Sequence, residues 1–237
     1  LPDFPNPSQG GGGAPGTAEI TKLAEGVWDI RVSGAGGPVI EFDNRLVMFE
    51  AYGGEAQTLA RIDAANELVA DKEVEAVIVT HHHFDHTGGL RAALSRGLEV
   101  ISHRANEGII REMATRSAVY YPDALAKNPH ELVFTPIDES LVLEDETQRL
   151  EIYRVVEHSH MPNAVFAYLP DEQIMMEGDL GDEAWQLHWW AGSHATNIEH
   201  YGIDPKINVA VHGSGPLSID QTLANTQAQM EAAVEYC

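Results

Sequence analysis

Four residues able to hold a metal ion, His81, His83, Asp85 and His86, fall within the six-residue run His81-His82-His83-Phe84-Asp85-His86. Imidazole nitrogens and carboxylate oxygens are the donors that zinc and related divalent ions take, and two ions held side by side need many of them on a short rigid loop. The run leaves the apolar stretch VEAVIVT at 74–80, whose last residue is Thr80. Alternate residues on a strand exit point the same way, so His81 and His83 can share one ion while Asp85 and His86 turn toward a second. His82 is not expected to be a ligand. The competing explanation is an accidental, solvated His-rich tract, and it loses ground to what lies further along the chain.

The elements that must position these residues follow from hydrophobic period and punctuation. EITKLAEGVWDIRVS, GPVIEFD and RLVMFEA read as short strands of an antiparallel meander beginning near Glu19. Glu55 to Ala70 places Leu59, Ile62, Ala65, Leu68 and Val69 at helical spacing, ahead of the strand at 74–80. A short helix from about Gly89, the strand LEVIS, a helix near 104–118 and further strands ending in AVFAYLP and QIMMEGD come next. A helix near 195–203, the strand INVAVHG and a last helix near 217–235 complete the chain. Strands and helices alternate in two similar halves, each with a polar cluster at the end of an apolar strand, which implies an α/β chain with sheets packed between helices.

The stretch THHHFDHTGGL, lying after an apolar strand and before a helix, resembles the THxHxDHxGG signature of the metallo-β-lactamase superfamily. The resemblance extends from about Ile20 to the C-terminus and implies that family's αββα sandwich, two mixed β-sheets flanked by helices. It also implies further ligands. EHSHMPNAVFAYLP resembles the element carrying the family's third histidine, pointing to His160 with His158 as a rival; IMMEGDL resembles the strand-end Gly-Asp pair and points to Asp179; NVAVHGSG resembles the terminal strand with its histidine and points to His212, with Val211 where the family usually has glycine. The implied set is His81, His83 and His160 on one ion, Asp85, His86 and His212 on the other, and Asp179 bridging. In the family an early strand usually ends in aspartate and glycine; here it reads LVMFEAYGG, which puts Glu50 in the place of the aspartate that supports the ligand loop.

Such a centre implies a dinuclear metal-dependent hydrolase working through a metal-bound hydroxide on an ester, lactone or thioester, with β-lactam cleavage as a secondary activity. Its cofactors would be two divalent ions, zinc first, with iron or manganese as alternatives. Asp85 and Asp179 are the candidates to orient the nucleophile and carry its proton, Asp85 foremost. Alternative readings within the fold are a mononuclear iron persulfide dioxygenase and a small phosphodiesterase. After Asp179, GDEAWQLHWWAGSHATN carries Trp185, His188, Trp189, Trp190 and His194, either an apolar substrate wall or residues packed on the core or a partner. Tyr120 and Tyr121 are weaker candidates of the same kind, and His103 reads as structural.

Composition bounds the rest. The 237 residues, 43% hydrophobic, suffice for one large domain, expected over 19–237 behind a Pro/Gly-rich arm or linker at 1–18. A formal net charge of −23 argues against nucleic-acid and anionic-membrane partners and for a small-molecule substrate. The single cysteine, Cys237, excludes an intrachain disulfide and a thiolate metal cage. No stretch reaches the roughly 20 apolar residues of a membrane-spanning helix. A first residue other than Met and the Pro/Gly-rich arm fit a trimmed leader and favour an exported, periplasmic location over a cytoplasmic one. An oligomer is compatible with all of this.

Overall fold

The computed structural model describes residues 16–181, 190–213 and 215–235. Four strands open the chain, β1 (Glu19–Ala24), β2 (Val27–Val32), β3 (Ala35–Glu41) and β4 (Leu46–Phe49), followed by α1 (Glu55–Leu68), β5 (Val74–Ile78), α2 (Phe84–Thr87), α3 (Leu90–Ser95) and β6 (Glu99–His103). A 3-10 turn at Arg104–Asn106 leads into α4 (Glu107–Thr115), then α5 (Ala124–Lys127), β7 (Phe134–Ile137), β8 (Ser140–Glu144), β9 (Arg149–Arg154), β10 (Val165–Leu169) and β11 (Ile174–Glu177). The chain ends with α6 (Ser193–Tyr201), β12 (Ile207–Ala210), β13 (Leu217–Ser218) and α7 (Ile219–Glu235). The helix expected near 104–118 begins instead with the 3-10 turn and stops at Thr115, and a two-residue strand precedes the last helix.

β1 to β7 form one sheet in sequence order, antiparallel up to β4 and parallel from β4 to β7. The second sheet has the order β13-β12-β11-β10-β9-β8, antiparallel except for the parallel pair β11 and β12. The strand pattern dictates the layers. In β5 the inward Ala76 and Ile78 join Phe49, Ile101, Ile152, Val165, Met176 and Val209 in a core between the sheets. The outward Val77 and Val79 join Leu46, Met48, Ile62, Leu90 and Leu94 under the helices α1 and α3. On the far side Phe166, Tyr168 and Met175 pack against Ile198 and Tyr201 of α6. Each such large apolar side chain contributes about 1.5–3 kcal/mol by leaving water. The result is the expected αββα sandwich of two mixed sheets. Among the described residues no helix is long and apolar enough to cross a membrane.

One edge of the sandwich collects the carboxyl ends of β4, β5, β11 and β12; there the Val165 amide donates to the Thr80 carbonyl at 3.0 Å and ties the two sheets together, while the Val211 amide donates to the Glu177 carbonyl at 3.1 Å and extends the β11–β12 pairing. Strand ends that converge from two sheets onto one rim are what bring distant histidines together.

Candidate metal centre

His81 follows β5 closely and His83 caps α2, whose first turn carries Asp85 and His86. The glycines after this run allow it to pack. A Cβ on Gly88 would lie 1.9 Å from the Gly53 carbonyl oxygen and one on Gly89 would lie 1.8 Å from Thr58 Oγ1, so only hydrogen fits against the 51–58 segment. That contact is fastened by the Gly53 amide donating to the Asp85 carbonyl at 2.8 Å. Gly178, ahead of Asp179, has the same function, since a Cβ there would lie 2.6 Å from Thr80 Oγ1.

All seven residues of the expected ligand set converge on one point. Asp179 Oδ2 lies 3.4 Å from His81 Nε2, 3.9 Å from His83 Nδ1 and 3.2 Å from His160 Nε2. Its other oxygen, Oδ1, lies 3.0 Å from both His86 Nε2 and His212 Nε2. Asp85 Oδ2 completes that second group at 3.5 Å from His86 Nε2 and 3.3 Å from His212 Nε2. Two donors each about 2.0–2.1 Å from one tetrahedral ion stand about 3.4 Å apart, which is the spacing found here. His81 and His86 are fully buried, whereas His83, His160, His212 and Asp85 are each about 30% exposed, so the centre has a closed floor and an open mouth.

The imidazole tautomers fit a cation. Thr80 Oγ1 donates to Glu50 Oε1, so it must accept from His81 Nδ1–H at 2.9 Å, which leaves His81 Nε2 as a lone pair. His86 Nδ1–H donates to Glu50 Oε1 at 3.2 Å, which likewise frees Nε2. Tyr52 supports His212 through its hydroxyl, 3.0 Å from Nδ1, and its ring packs edge-on against both His86 and His212. The Nε2 atoms of His86 and His212 lie 3.2 Å apart beside Asp179 Oδ1 and Asp85 Oδ2, a cluster that favours positive charge, as protons on the imidazoles or as an ion among them. His81 Nε2 and Asp179 Oδ1 are buried polar atoms that form no hydrogen bond of good geometry among the described residues, as expected of atoms reserved for an ion.

Electrostatics agree. Burial alone would raise the Asp179 carboxyl, but the imidazoles of His212, His81 and His86 around it outweigh burial and hold the group far below the ordinary carboxylate range. Burial would lower His86 and His212; the carboxylates Glu50 and Asp179 around the first, and Asp179 and Asp85 around the second, instead push both up to about 10. His83 moves the other way, to about 4, through burial and the neighbouring His81 and His160. The hydrogen bond from His212 lowers Asp85, which stays ionised. The site thus attracts either two protons or dipositive ions.

Geometry separates alternatives that the sequence leaves open. His158, the rival of His160, has both ring nitrogens committed to backbone: Nδ1 accepts from the His160 and Met161 amides at 3.2 Å, and Nε2–H donates to the Asp179 carbonyl at 3.1 Å. It orients two of the converging residues without facing them. His82 points away, its Nδ1 lying 3.3 Å from Asn106 Oδ1. Glu50, fully buried at φ +69°, occupies the supporting position expected of it. Trp190 stacks on His160 with ring centroids 4.1 Å apart, while Trp185, His188 and Trp189 lie outside the described residues. His194 does not line a pocket; it is fully buried in α6, 3.5 Å from Glu177 Oε1. Tyr120 is 80% exposed on the α4–α5 connection. His103 caps the 3-10 turn by accepting from the Ala105 amide at 3.1 Å, a structural role. Sequence reasoning missed Tyr52, two residues after Glu50, and the hub at Thr80.

Comparison with known proteins places this geometry in a family. The model of the metallo-beta-lactamase superfamily matches residues 39–181. Metallo-β-lactamases from Hirschia baltica and Pontibacter korlensis share the fold, with TM-scores of 0.65 and 0.63 at 19% identity, over 90% and 89% of this chain and 97% and 99% of theirs. The 2,4-dinitroanisole O-demethylase subunit beta of a Nocardioides species is 33% identical over 93 residues, 39% of this chain and 29% of the relative's length. With the family model matching more than half of its length, the chain belongs to the metallo-β-lactamase superfamily.

Proposed function

We propose that this chain is a dinuclear metal-dependent hydrolase of esters, lactones or thioesters, with β-lactam cleavage as a secondary activity. The observation that carries the reading is the division of Asp179, one oxygen to the His81, His83 and His160 nitrogens and the other to those of His86 and His212. A carboxylate so placed joins two sites, and the first histidine trio and the Asp85, His86, His212 group would each hold one ion. Zinc is the first choice for this nitrogen and oxygen set. Divalent ions bound there supply a water of lowered pKa and a Lewis acid for the acyl oxygen. A mononuclear iron oxygenase would use only one group, whereas two ions would engage the donors of both, including the His86 and His212 nitrogens that stand 3.2 Å apart.

The chain's own residues supply position and proton transfer. Asp85, ionised and about 30% exposed at the mouth, is placed to take the proton from the attacking water and return it to the departing oxygen or sulfur. Trp190, stacked on His160, offers an apolar face to the acyl group. The net charge of −23 favours a small, uncharged or cationic substrate over nucleic acid. The demethylase relative adds an aryl methyl ether to the substrates worth offering.

The test is a screen of lactone, thioester, aryl ester, β-lactam, phosphodiester and aryl methyl ether substrates before and after chelation. Acyl hydrolysis that is lost on chelation and restored by zinc supports the reading. Turnover insensitive to chelation, or oxygen consumption without hydrolysis, refutes it.

A further inference from the structure

Arg61, on α1, is the largest fully buried side chain among the described residues, and its guanidinium meets no carboxylate within ion-pair distance among them. It donates to four backbone carbonyls: Nε to Ile30 at 3.0 Å, Nη1 to Glu50 at 2.8 Å, and Nη2 to Gly37 at 3.1 Å and Phe49 at 3.0 Å. Those carbonyls come from β2, β3 and the end of β4. The β3–β4 ladder begins only at Val39 opposite Met48, so Gly37 and Phe49 lie where the two strands have already parted. Arg61 fills the wedge, and its fork of N–H groups suits four diverging acceptors as a lysine would not.

The carbonyl of Glu50 gives the clamp a second consequence. Glu50 is a non-glycine residue in the left-handed region at φ +69°, a conformation that persists only where its surroundings enforce it. Its carbonyl is held by Arg61 and its amide donates to the Ile78 carbonyl at 2.8 Å. Held this way, its side chain accepts from the Thr80 amide at 3.1 Å, from Thr80 Oγ1 and from His86 Nδ1. Through Thr80 the same carboxylate also fixes His81. One histidine from each proposed ion site therefore takes its orientation from Glu50, and Glu50 takes its backbone conformation from Arg61.

We propose that Arg61 is a positioning residue for the metal centre, acting at a distance through Glu50. The inference rests on the metal-centre reading above. Supporting groups behind metal-bound histidines typically change metal affinity about 10- to 100-fold, and Arg61→Lys is expected to weaken zinc binding by a factor in that range. Because the effect passes through Glu50, the same substitution in a Glu50→Ala background should change affinity by much less, about twofold at most on the same scale.

Zinc affinity is measured by competition with a chromophoric chelator for the wild type, Arg61→Lys, Glu50→Ala and the double variant, with the visible spectrum of the cobalt-substituted proteins as a readout of ligand geometry. Gly37→Ala serves as a second probe, since its Cβ would lie 2.8 Å from the Phe49 carbonyl oxygen and 3.4 Å from Arg61 Nη2 and would disturb the clamp with the arginine still present. Weaker zinc binding in Arg61→Lys or Gly37→Ala, an altered cobalt spectrum and a vanishing effect on the Glu50→Ala background support the inference. Unchanged zinc affinity and cobalt spectrum in both variants, or the same fold-loss with and without Glu50, overturn it while leaving the metal centre intact. Failure of the wild type to bind zinc would overturn the metal-centre reading and this inference with it.

Discussion

Replacing Asp179 by Asn tests the centre at its most shared atom. Asn keeps the shape and one carbonyl oxygen but removes the charge, and it turns an NH2 group toward one of the two nitrogen clusters that now face Oδ1 and Oδ2 at 3.0–3.9 Å. A unit charge about 4 Å from a unit of ion charge at an effective dielectric of about 20 is worth about 4 kcal/mol. That corresponds to about a thousandfold in a binding constant. Titrating the metal-free protein with zinc against a chelator should show one ion lost or weakened by about that factor, with acyl hydrolysis falling in parallel. His82→Ala is the control, and should retain both metal content and activity because its ring faces Asn106. Full metal content and full activity in Asp179→Asn would refute the bridging role.

The pH dependence of the metal-free and zinc-bound protein should run in opposite directions. Folded-state values of about 10 for His86 and His212, above the ordinary 6.5, mean that the stability these groups add is complete below about pH 6.5 and is lost as pH rises toward 10. Ions must displace those protons, so apparent zinc affinity should strengthen across the same window; melting curves of the chelated protein and zinc titrations between pH 6.5 and 10 check both, and a flat affinity profile contradicts the assignment. Tyr52→Phe removes the hydroxyl 3.0 Å from His212 Nδ1 and should weaken zinc binding by about 10-fold with little change in fold, read by the same titration. Phe166→Ala opens a cavity beside Tyr153 and Tyr201 and should cost about 3–5 kcal/mol in urea unfolding while leaving metal content unchanged at low temperature. A loss below about 1 kcal/mol would mean that this layer is not packed as described.

What can be read in the sequence is whatever depends on short spacing or strong period. The strand 74–80 announces itself by an apolar run interrupted only by Glu75 before it closes on Thr80, and the histidines after it by their density. The more distant donors, His160, Asp179 and His212, carry no local signal of their own and are reached through resemblance; only the folded chain shows that the ends of β5, β11 and β12 share a rim. The choice between His158 and His160 depends on which ring meets backbone amides, and a sequence does not state that. Arg61 does leave a trace: it stands with Thr58, Ile62 and Ala65 on the buried stripe of α1, where a cation demands a reason. His194 misleads because it sits near tryptophans in sequence yet points inward onto Glu177.

The most direct test of the dinuclear account is a crystal structure of the zinc-reconstituted protein with anomalous difference maps at the zinc edge. The account requires two peaks, one among His81, His83 and His160 and the other among Asp85, His86 and His212, with Asp179 touching both. A single peak confined to one group, or zinc bound away from Asp179, would contradict it.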